Sequence, residues 1–457
     1  MKRLLCFLGA VVFSATAYAQ ADTDIVNIPD TNFKNALIAS GVDTNNDNEI
    51  NYGEARAVTR LNISRWQISN LTGIEAFSNL TVLECFNNNL TSLDVSSNTN
   101  LEALVAYRNQ LTGIILSPSI QILNLGNNLL TSIDVSVSPN LKWLYLGDNQ
   151  LSAIDVSQNT ALTILGVAKN QLTSVNVSAN TLLTSLNCND NQITSLDLST
   201  NTRLIKLLCW NNQLTSLDVS NNVYLNDIHC GQNQLTSLDV SHNRGLLRLS
   251  VEDNFLTSID LSNNFELEQL LITNNAISSI SVNHMRNLKT VYCSHTQITT
   301  LDLSPNKKLQ SVRCTNTPLT QLNLANTNNN DPYLRIQIVD ARNNPSLACI
   351  QIDNGFTPNP NYWQKDPTAS YSDNCNYPTA STQEVTSTHH LTAVSPMGDT
   401  LILKGDAKVE KVEIYSTAGQ LVKVFLDHDR DVSALSKGVY FLKITTNKGI
   451  ETIKVIK

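Results

Sequence analysis

One segment, Leu-Thr-Ser-Leu-Asp-Val-Ser, returns along this chain at a nearly constant step. Copies start at Leu130, Leu151, Leu172, Ile193, Leu214, Leu235, Leu256, Ile277, Ile298 and Leu319, each 21 residues after the last. Earlier copies start at Leu90 and Leu111, with a step of 19 from Leu111 to Leu130. A unit this short cannot bury its own apolar face, so successive units must stack and share one continuous core.

Each unit reads L-x-x-L-x-(C/L/V/A)-x-x-N-(Q)-L-x-x-L-D-(V/L)-S-x-N. Its first half alternates inward and outward, as over Ile228–Cys230, which predicts a short strand that turns at the following Asn. Stacked strands make a parallel sheet with rungs ~4.8 Å apart, so about thirteen coils give a solenoid on the order of 60 Å long. The other half of each unit has no room for a helix and is expected to be extended or turn-like. This pattern closely resembles the leucine-rich repeat family over residues 68–353. The resemblance implies a mainly β fold, with a parallel sheet lining the concave face of a repeat solenoid.

The slots of the repeat separate structure from chemistry. Cys85, Cys188, Cys209, Cys230, Cys293 and Cys314 share one inward position with Leu125, Leu146, Val167, Val251 and Ile272. A position interchangeable among Cys, Leu and Val calls for a small buried hydrophobe, a role free cysteine fills. The strand-ending Asn recurs from Asn88 to Asn275, and in the resembled family this side chain points inward and bonds neighbouring turns. Thr296 and Thr317 replace it late in the array, where the ladder should loosen. The Asn that closes each unit, such as Asn201, belongs to a second ladder. Asp94, Asp134, Asp155, Asp197, Asp218, Asp239, Asp260 and Asp302 each precede a Ser by two residues, which suits a turn whose carboxylate accepts backbone N–H bonds. A Ca²⁺ ladder along this column is the weaker reading, because the glycine-rich calcium repeat is absent.

Both ends depart from the repeat. Met1-Lys2-Arg3, the apolar run Leu4–Phe13 and Ala17-Tyr18-Ala19 form a secretory signal, expected to be removed with residues 1–19. No later stretch is long and apolar enough to span a membrane. Loss of Lys2 and Arg3 takes the formal charge from −8 to −10, which argues against a nucleic-acid partner. Residues 20–67 read as an N-terminal cap. Within it, Asp43 to Glu54 follows the EF-hand loop pattern, with Asp43, Asn45, Asp47, Glu49 (through its carbonyl), Asn51 and Glu54 as candidate Ca²⁺ ligands. Asn48 stands where glycine is usual, and Asn tolerates the left-handed conformation. Asp30–Ala39 reads as a helix before the loop, and Glu54 can open another.

After the solenoid (68–346), residues 347–377 read as a C-terminal cap. Cys349 and Cys375 lie outside the repeating slot of an exported chain and are expected to form a disulfide. Residues 378–390, which include His389 and His390, are polar and aperiodic and read as a linker. From Leu391 the pattern becomes short alternating strands of a small β-sandwich. Ile414–Lys423, Leu435–Ile444 and the terminal Lys454-Val-Ile-Lys457 resemble the type IX secretion C-terminal sorting domain. That implies passage across the outer membrane, recognition by the secretion machinery, and a secreted or cell-surface location.

The outward strand positions supply the candidate ligand-binding surface: Phe86, Tyr107, Trp143, Tyr145, Trp210, His229 and Arg248, with Glu252, Tyr292 and Arg313 beyond. Large aromatics and Arg facing solvent are the usual anchors of interfaces. The ligand reads as a protein, in interaction or adhesion, with a glycan as the alternative. Sideways packing of the aromatics on one another is the structural account of the same residues. No nucleophile elbow, HExxH, P-loop or dinucleotide glycine pattern appears, and Asp227 with His229 lacks a nucleophile, so the chain does not read as an enzyme.

Overall fold

The structure, a computed structural model, describes residues 20–375 and, of the remainder, 391–393, 400–405, 408–416, 421–425, 431–436, 438–446 and 449–457. The signal segment and the linker of the sequence reading lie outside the described residues. The chain divides into two units, Met1–Cys375 and Asn376–Lys457.

The first unit opens on two helices, Thr31–Ala39 and Tyr52–Ala57. Asp30 caps the first, accepting from the Phe33 amide at 3.0 Å. Its second oxygen accepts from the Ser69 amide and hydroxyl and from the Asn70 amide, which ties the cap to the first coil. Asn51 and Glu54 form a reciprocal capping box on the second helix, satisfying two orphan N–H groups. Phe33, Leu37, Ile50 and Ala55 are buried and continuous with the solenoid core.

From Arg60–Asn62 onward the chain winds into coils whose strands, of three residues except for Ile338–Ala341 with four, form one parallel sheet of 15. At ~4.8 Å per rung that sheet is about 70 Å long. Register is kept by the central residue of each strand: Leu186, Leu207, Ile228 and Leu249 pair in succession, and all are fully buried. The strand expected at Ile228–Cys230 is Asp227–His229. Cys230 N still donates to Ser250 O at 2.9 Å, so the ladder runs one residue past the strand's edge. On the convex side short strands pair as well, Ser92–Asp94 with Gly113–Ile115 and later Thr300–Asp302 with Gln321–Asn323. Among the described residues no α-helix lies between these coils, as the short period requires; the first coil carries one 3₁₀ turn, Ile74–Ala76.

Two asparagine ladders hold successive turns. Asn212 Nδ2 donates to the Cys188 carbonyl of the preceding coil and the Cys209 carbonyl of its own, while Oδ1 accepts from the Ile193 amide at 3.0 Å. Every full rung repeats this, so three backbone groups that water cannot reach are paired by one side chain. The closing Asn does similar work beneath the convex turns: Asn222 Nδ2 donates to Leu198 O and Asn201 O. Where Asn gives way to Ser117 and Ser138, each hydroxyl donates to the coil before it. Of the two positions where loosening was expected, Thr296 donates from its hydroxyl to the Cys293 carbonyl of its own turn, whereas Thr317 is tied to the next coil, its amide and hydroxyl both donating to Asn344 Oδ1. The strand ladder resumes at Asn344, which bonds Cys314 O and Ala341 O.

The residue before each ladder Asn is left-handed. Lys169, Asp190, Asn211 and Gln232 have φ of +54°, +53°, +53° and +49°. Asn and Asp accept that conformation most readily, which explains their frequency at this position. The Asp column behaves as expected, with Asp218 Oδ1 accepting from the Ser220 amide at 2.9 Å.

All six repeat cysteines are buried and free. Burial pushes the thiols of Cys85, Cys188, Cys230 and Cys293 up to about 12, and those of Cys209 and Cys314 are also well raised. The thiolate is the reactive form. Ellman's reagent is therefore expected to label none of the six in the folded protein and all six after unfolding in urea. Rapid labelling of native protein would place them at the surface instead.

The coil lengthens near the end. Arg313 pairs with Asp340, and Asp340 pairs with Gln364, steps of 27 and 24 residues. Trp363 is buried there, its Nε1 donating to Ile336 O at 3.1 Å, with the rings of Phe356 and Tyr371 against it. Cys349 and Cys375 form the expected disulfide, with Cα atoms 5.7 Å apart.

In the second unit, Leu421–Phe425, Val409–Ser416, Val439–Thr446 and Gly449–Ile456 form a four-stranded antiparallel sheet in that order. Leu391–Ala393 pairs with Leu403–Gly405 as a separate two-stranded ladder. Val412, Ile414, Tyr440, Leu442 and Ile444 are buried in its small core.

A candidate binding surface on the concave face

Strand residues on either side of each buried central residue, and those two further on, form columns along the concave face. At the N-terminal end Phe86 and Tyr107 stack in parallel, ring centroids 4.7 Å apart and 5° from coplanar. Arg65 lies over Phe86 and Arg108 over Tyr107. This part of the candidate surface packs sideways. Trp143 and Tyr145 leave one strand on the same face, and Trp143 stays 42% exposed. Tyr145 leans toward the next rung, where a Cβ on Gly166 would lie 3.2 Å from its ring.

Tyr107 and Tyr145, with Arg108, Asn124 and Asp148, border an open depression of about 400 Å³ floored by Gly126 and Gly147. Trp210 lies across Gly231, where a Cβ would come within 2.8 Å of the indole. Only glycine at that position lets the ring lie flat.

His229 and Arg248 do not join the aromatics; they converge on Asp227. This carboxylate is nearly buried and meets His229 at 2.8 Å, Lys206 at 3.5 Å and Arg248 at 3.7 Å. Burial works to raise its pKa, but the His229 hydrogen bond and the charges of His229, Lys206 and Arg248 win and hold it below the ordinary value. Asp227 thus anchors a cross-rung cluster that positions His229, Lys206 and Arg248.

In the N-terminal cap the helix–loop–helix expected around Asp43–Glu54 is present, and Asn48 is left-handed at φ +64°. The side-chain oxygens serve the loop's own amides. Asp43 accepts from Asp47 N and Asn48 N, and Asp47 from Glu49 N. Asn45 Oδ1 accepts from Asp47 N, and Asn51 Oδ1 from Glu54 N. Glu54 accepts from Thr44 N, Thr44 Oγ1, Asn45 N and Asn51 N. Burial would raise the Glu54 carboxyl, but these bonds outweigh it and keep it low. Among the described residues no three Asp, Glu, His or Cys side chains converge as a metal site.

The coil geometry is shared with solved structures. The functional domain of InlJ from Listeria monocytogenes, described as including a cysteine ladder, is 26% identical with a TM-score of 0.62, covering 96% of this chain and 99% of that one. An internalin, InlF, of the same organism is 22% identical with a TM-score of 0.54, covering 77% and 97%. The effector YopM of Yersinia pestis is 22% identical with a TM-score of 0.55, covering 69% and 84%. The last two likenesses speak to fold alone. None of the curated proteins compared with the chain matches it. Residues 395–457 match the secretion system C-terminal sorting domain.

The chain is a leucine-rich repeat solenoid with a type IX sorting domain. That tail marks the protein for export, to the surface or beyond. Among the described residues no helix is long and apolar enough to cross a membrane.

For a leucine-rich repeat the concave columns are the natural place to look; of the residues expected at outward strand positions, Trp143, Tyr145, His229 and Arg248 lie on strands, while Phe86, Tyr107 and Trp210 follow theirs by two residues. The sequence could not locate how they group. The aromatics divide into a stacked pair, an exposed tryptophan beside a half-buried tyrosine, and a flattened indole, because each arrangement is decided by the residue one coil away. Sequence reasoning also missed Arg342, His295 and Tyr362, which surround a cavity at the C-terminal end. The available signal was the break from the 21-residue step after Leu319.

Proposed function

We propose that the exported protein is a non-enzymatic binding protein of the cell surface or extracellular space, whose concave face takes a protein partner in interaction or adhesion. The observation that carries this is the Trp143–Tyr145 pair: two large rings on one rigid strand, the tryptophan open to solvent, beside a depression bordered by Tyr107. Rigid aromatic anchors around a cavity are what interface hot spots are made of. The likeness to the functional domain of InlJ, a repeat solenoid, supports a module that works by surface contact. A glycan is the second reading, favoured by the amide of Asn124 and the tyrosine rings around the same depression.

The test is ligand capture with the full chain, on glycan arrays and on surface extracts, followed by titration of whatever binds. Trp143→Ala with Tyr145→Ala is expected to weaken the captured ligand at least about tenfold, since a hot-spot residue carries ~2 kcal/mol or more. A ligand held equally well by the double variant removes this face from the account.

For the cap we propose that the all-oxygen set Asp43, Asn45, Asp47, the Glu49 carbonyl, Asn51 and Glu54 holds Ca²⁺ and stiffens the N-terminal end. Glu54 would have to release the Thr44 and Asn45 amides to serve as a ligand. Ca²⁺ is then expected to raise the melting temperature by a few degrees over EDTA, as binding to the folded state alone requires. Identical melting curves would leave the hydrogen-bonded loop as the whole explanation.

A further inference from the structure

The long coils at the C-terminal end build two cavities that share a wall. A 21-residue coil is enough to cover the core elsewhere, so the extra residues of the 27- and 24-residue steps are not needed for closure. They surround a socket of about 400 Å³ lined by Ile336, Phe356 and Trp363, with Pro332, Thr357 and Arg335 near its mouth. On the other side of Ile338 and Tyr362 lies a wider cavity of about 620 Å³ on the concave face, bordered by Tyr292, His295, Arg313 and Arg342. Tyr362 is 59% exposed and Ile338 is 39% exposed, so the dividing wall itself faces solvent.

The two cavities differ in chemistry. The first has an apolar floor of Trp363, Phe356 and Ile336. The second gathers cations on a chain whose net charge is negative: Arg313 and Arg342, with Arg335 across the wall, against one carboxylate, Asp340. Arg342 takes both oxygens of that carboxylate, at 2.8 and 2.6 Å. Arg313 instead rests on the Tyr292 ring, 4.8 Å from its centroid. Among the described residues nothing accepts a hydrogen bond from its guanidinium. A stacked guanidinium is pre-organised, and its donors suit a carboxylate in bidentate fashion.

We propose that this corner docks a polypeptide segment of the partner in which an acidic residue lies within one or two positions of a bulky apolar one. The carboxylate meets Arg313, and the apolar side chain crosses the Ile338–Tyr362 wall into the Trp363 socket. The inference rests on the reading of the solenoid as a protein-binding module. Two adjoining cavities, one cationic and one apolar, match side chains spaced ~3.4 Å per residue along an extended strand. A sugar in the socket would leave its hydroxyls without partners, so a polypeptide is the better fit.

The full chain is panned against a displayed library of random dodecapeptides, and the preferred peptide is titrated by fluorescence anisotropy. Selected sequences are expected to pair Asp or Glu with Phe, Leu or Trp within two positions. Arg313→Gln should abolish selection for the acid and weaken the preferred peptide about tenfold, the worth of a charge-assisted hydrogen bond. Thr357→Phe, which crowds the socket mouth, should abolish selection for the apolar residue, with unchanged circular dichroism showing that the fold survives. Asp197→Ala, at an exposed convex turn, should leave both preferences intact. The proposal is overturned if no sequence is enriched, if Arg313→Gln keeps the acid preference, or if oligogalacturonate binds this corner in place of peptides. Failure here with a partner still lost on changing Trp143 and Tyr145 would remove the corner and leave the broader reading standing.

Discussion

Asn212→Leu is expected to destabilise the solenoid by about 3 kcal/mol or more, because leucine fills the volume and pairs none of the backbone groups. The amide donates to Cys188 O and Cys209 O and accepts from Ile193 N, all in a region shut off from water. Each orphaned buried group costs about 1–3 kcal/mol, so three of them exceed what a single apolar contact returns. The damage should also be local. Coils touch only their neighbours, so the array is expected to unfold in two stages, with the halves on either side of the altered rung melting separately. Urea unfolding followed by circular dichroism reads both effects, with Asp197→Ala at an exposed turn as the mild comparison. An unchanged midpoint for Asn212→Leu would mean that the ladder adorns the fold without holding it.

Removing the disulfide by Cys349→Ser with Cys375→Ser should cost about 3 kcal/mol, the loop-closure entropy for a crosslink spanning 26 residues. This loss falls on one end of a one-dimensional stack, so the cap should open while the central coils persist. Limited trypsin digestion is then expected to cut after Arg342 or Lys365 in the double variant, leaving a resistant fragment that contains the middle repeats. A cap as resistant as that of the disulfide-bonded protein would show that Trp363 and its ring neighbours close the core unaided. The same opening would dismantle both cavities at this end, so the variant should also lose whatever binds there.

Much of this was legible in the sequence because repetition turns each slot into many independent observations. Cys188 alone resembles a reactive thiol; Cys188 beside Leu146 and Val167 in the same slot can only be core, and all three are buried. The strand-ending Asn, the Asp–Ser turns and the terminal disulfide were readable for the same reason, or because they stand out against it. What stayed hidden depends on contacts between coils. Trp210 lies flat because Gly231 follows it one rung later, and His229 is held against Asp227, which Lys206 and Arg248 also approach. The terminal cavities arise where the period fails, and a consensus is silent where it no longer applies.

The constant register has an evolutionary consequence. Because each coil pairs identically with the one before it, a whole 21-residue unit can be gained or lost without a new solution to core packing. The ends would still cap a solenoid, one rung longer or shorter. Every such event slides the outward residues of one half past those of the other, changing the spacing between the aromatic rows near Trp143 and the cationic corner near Arg313. A lineage carrying this architecture can therefore retune its reach and its binding geometry in unit steps, leaving the buried ladders untouched.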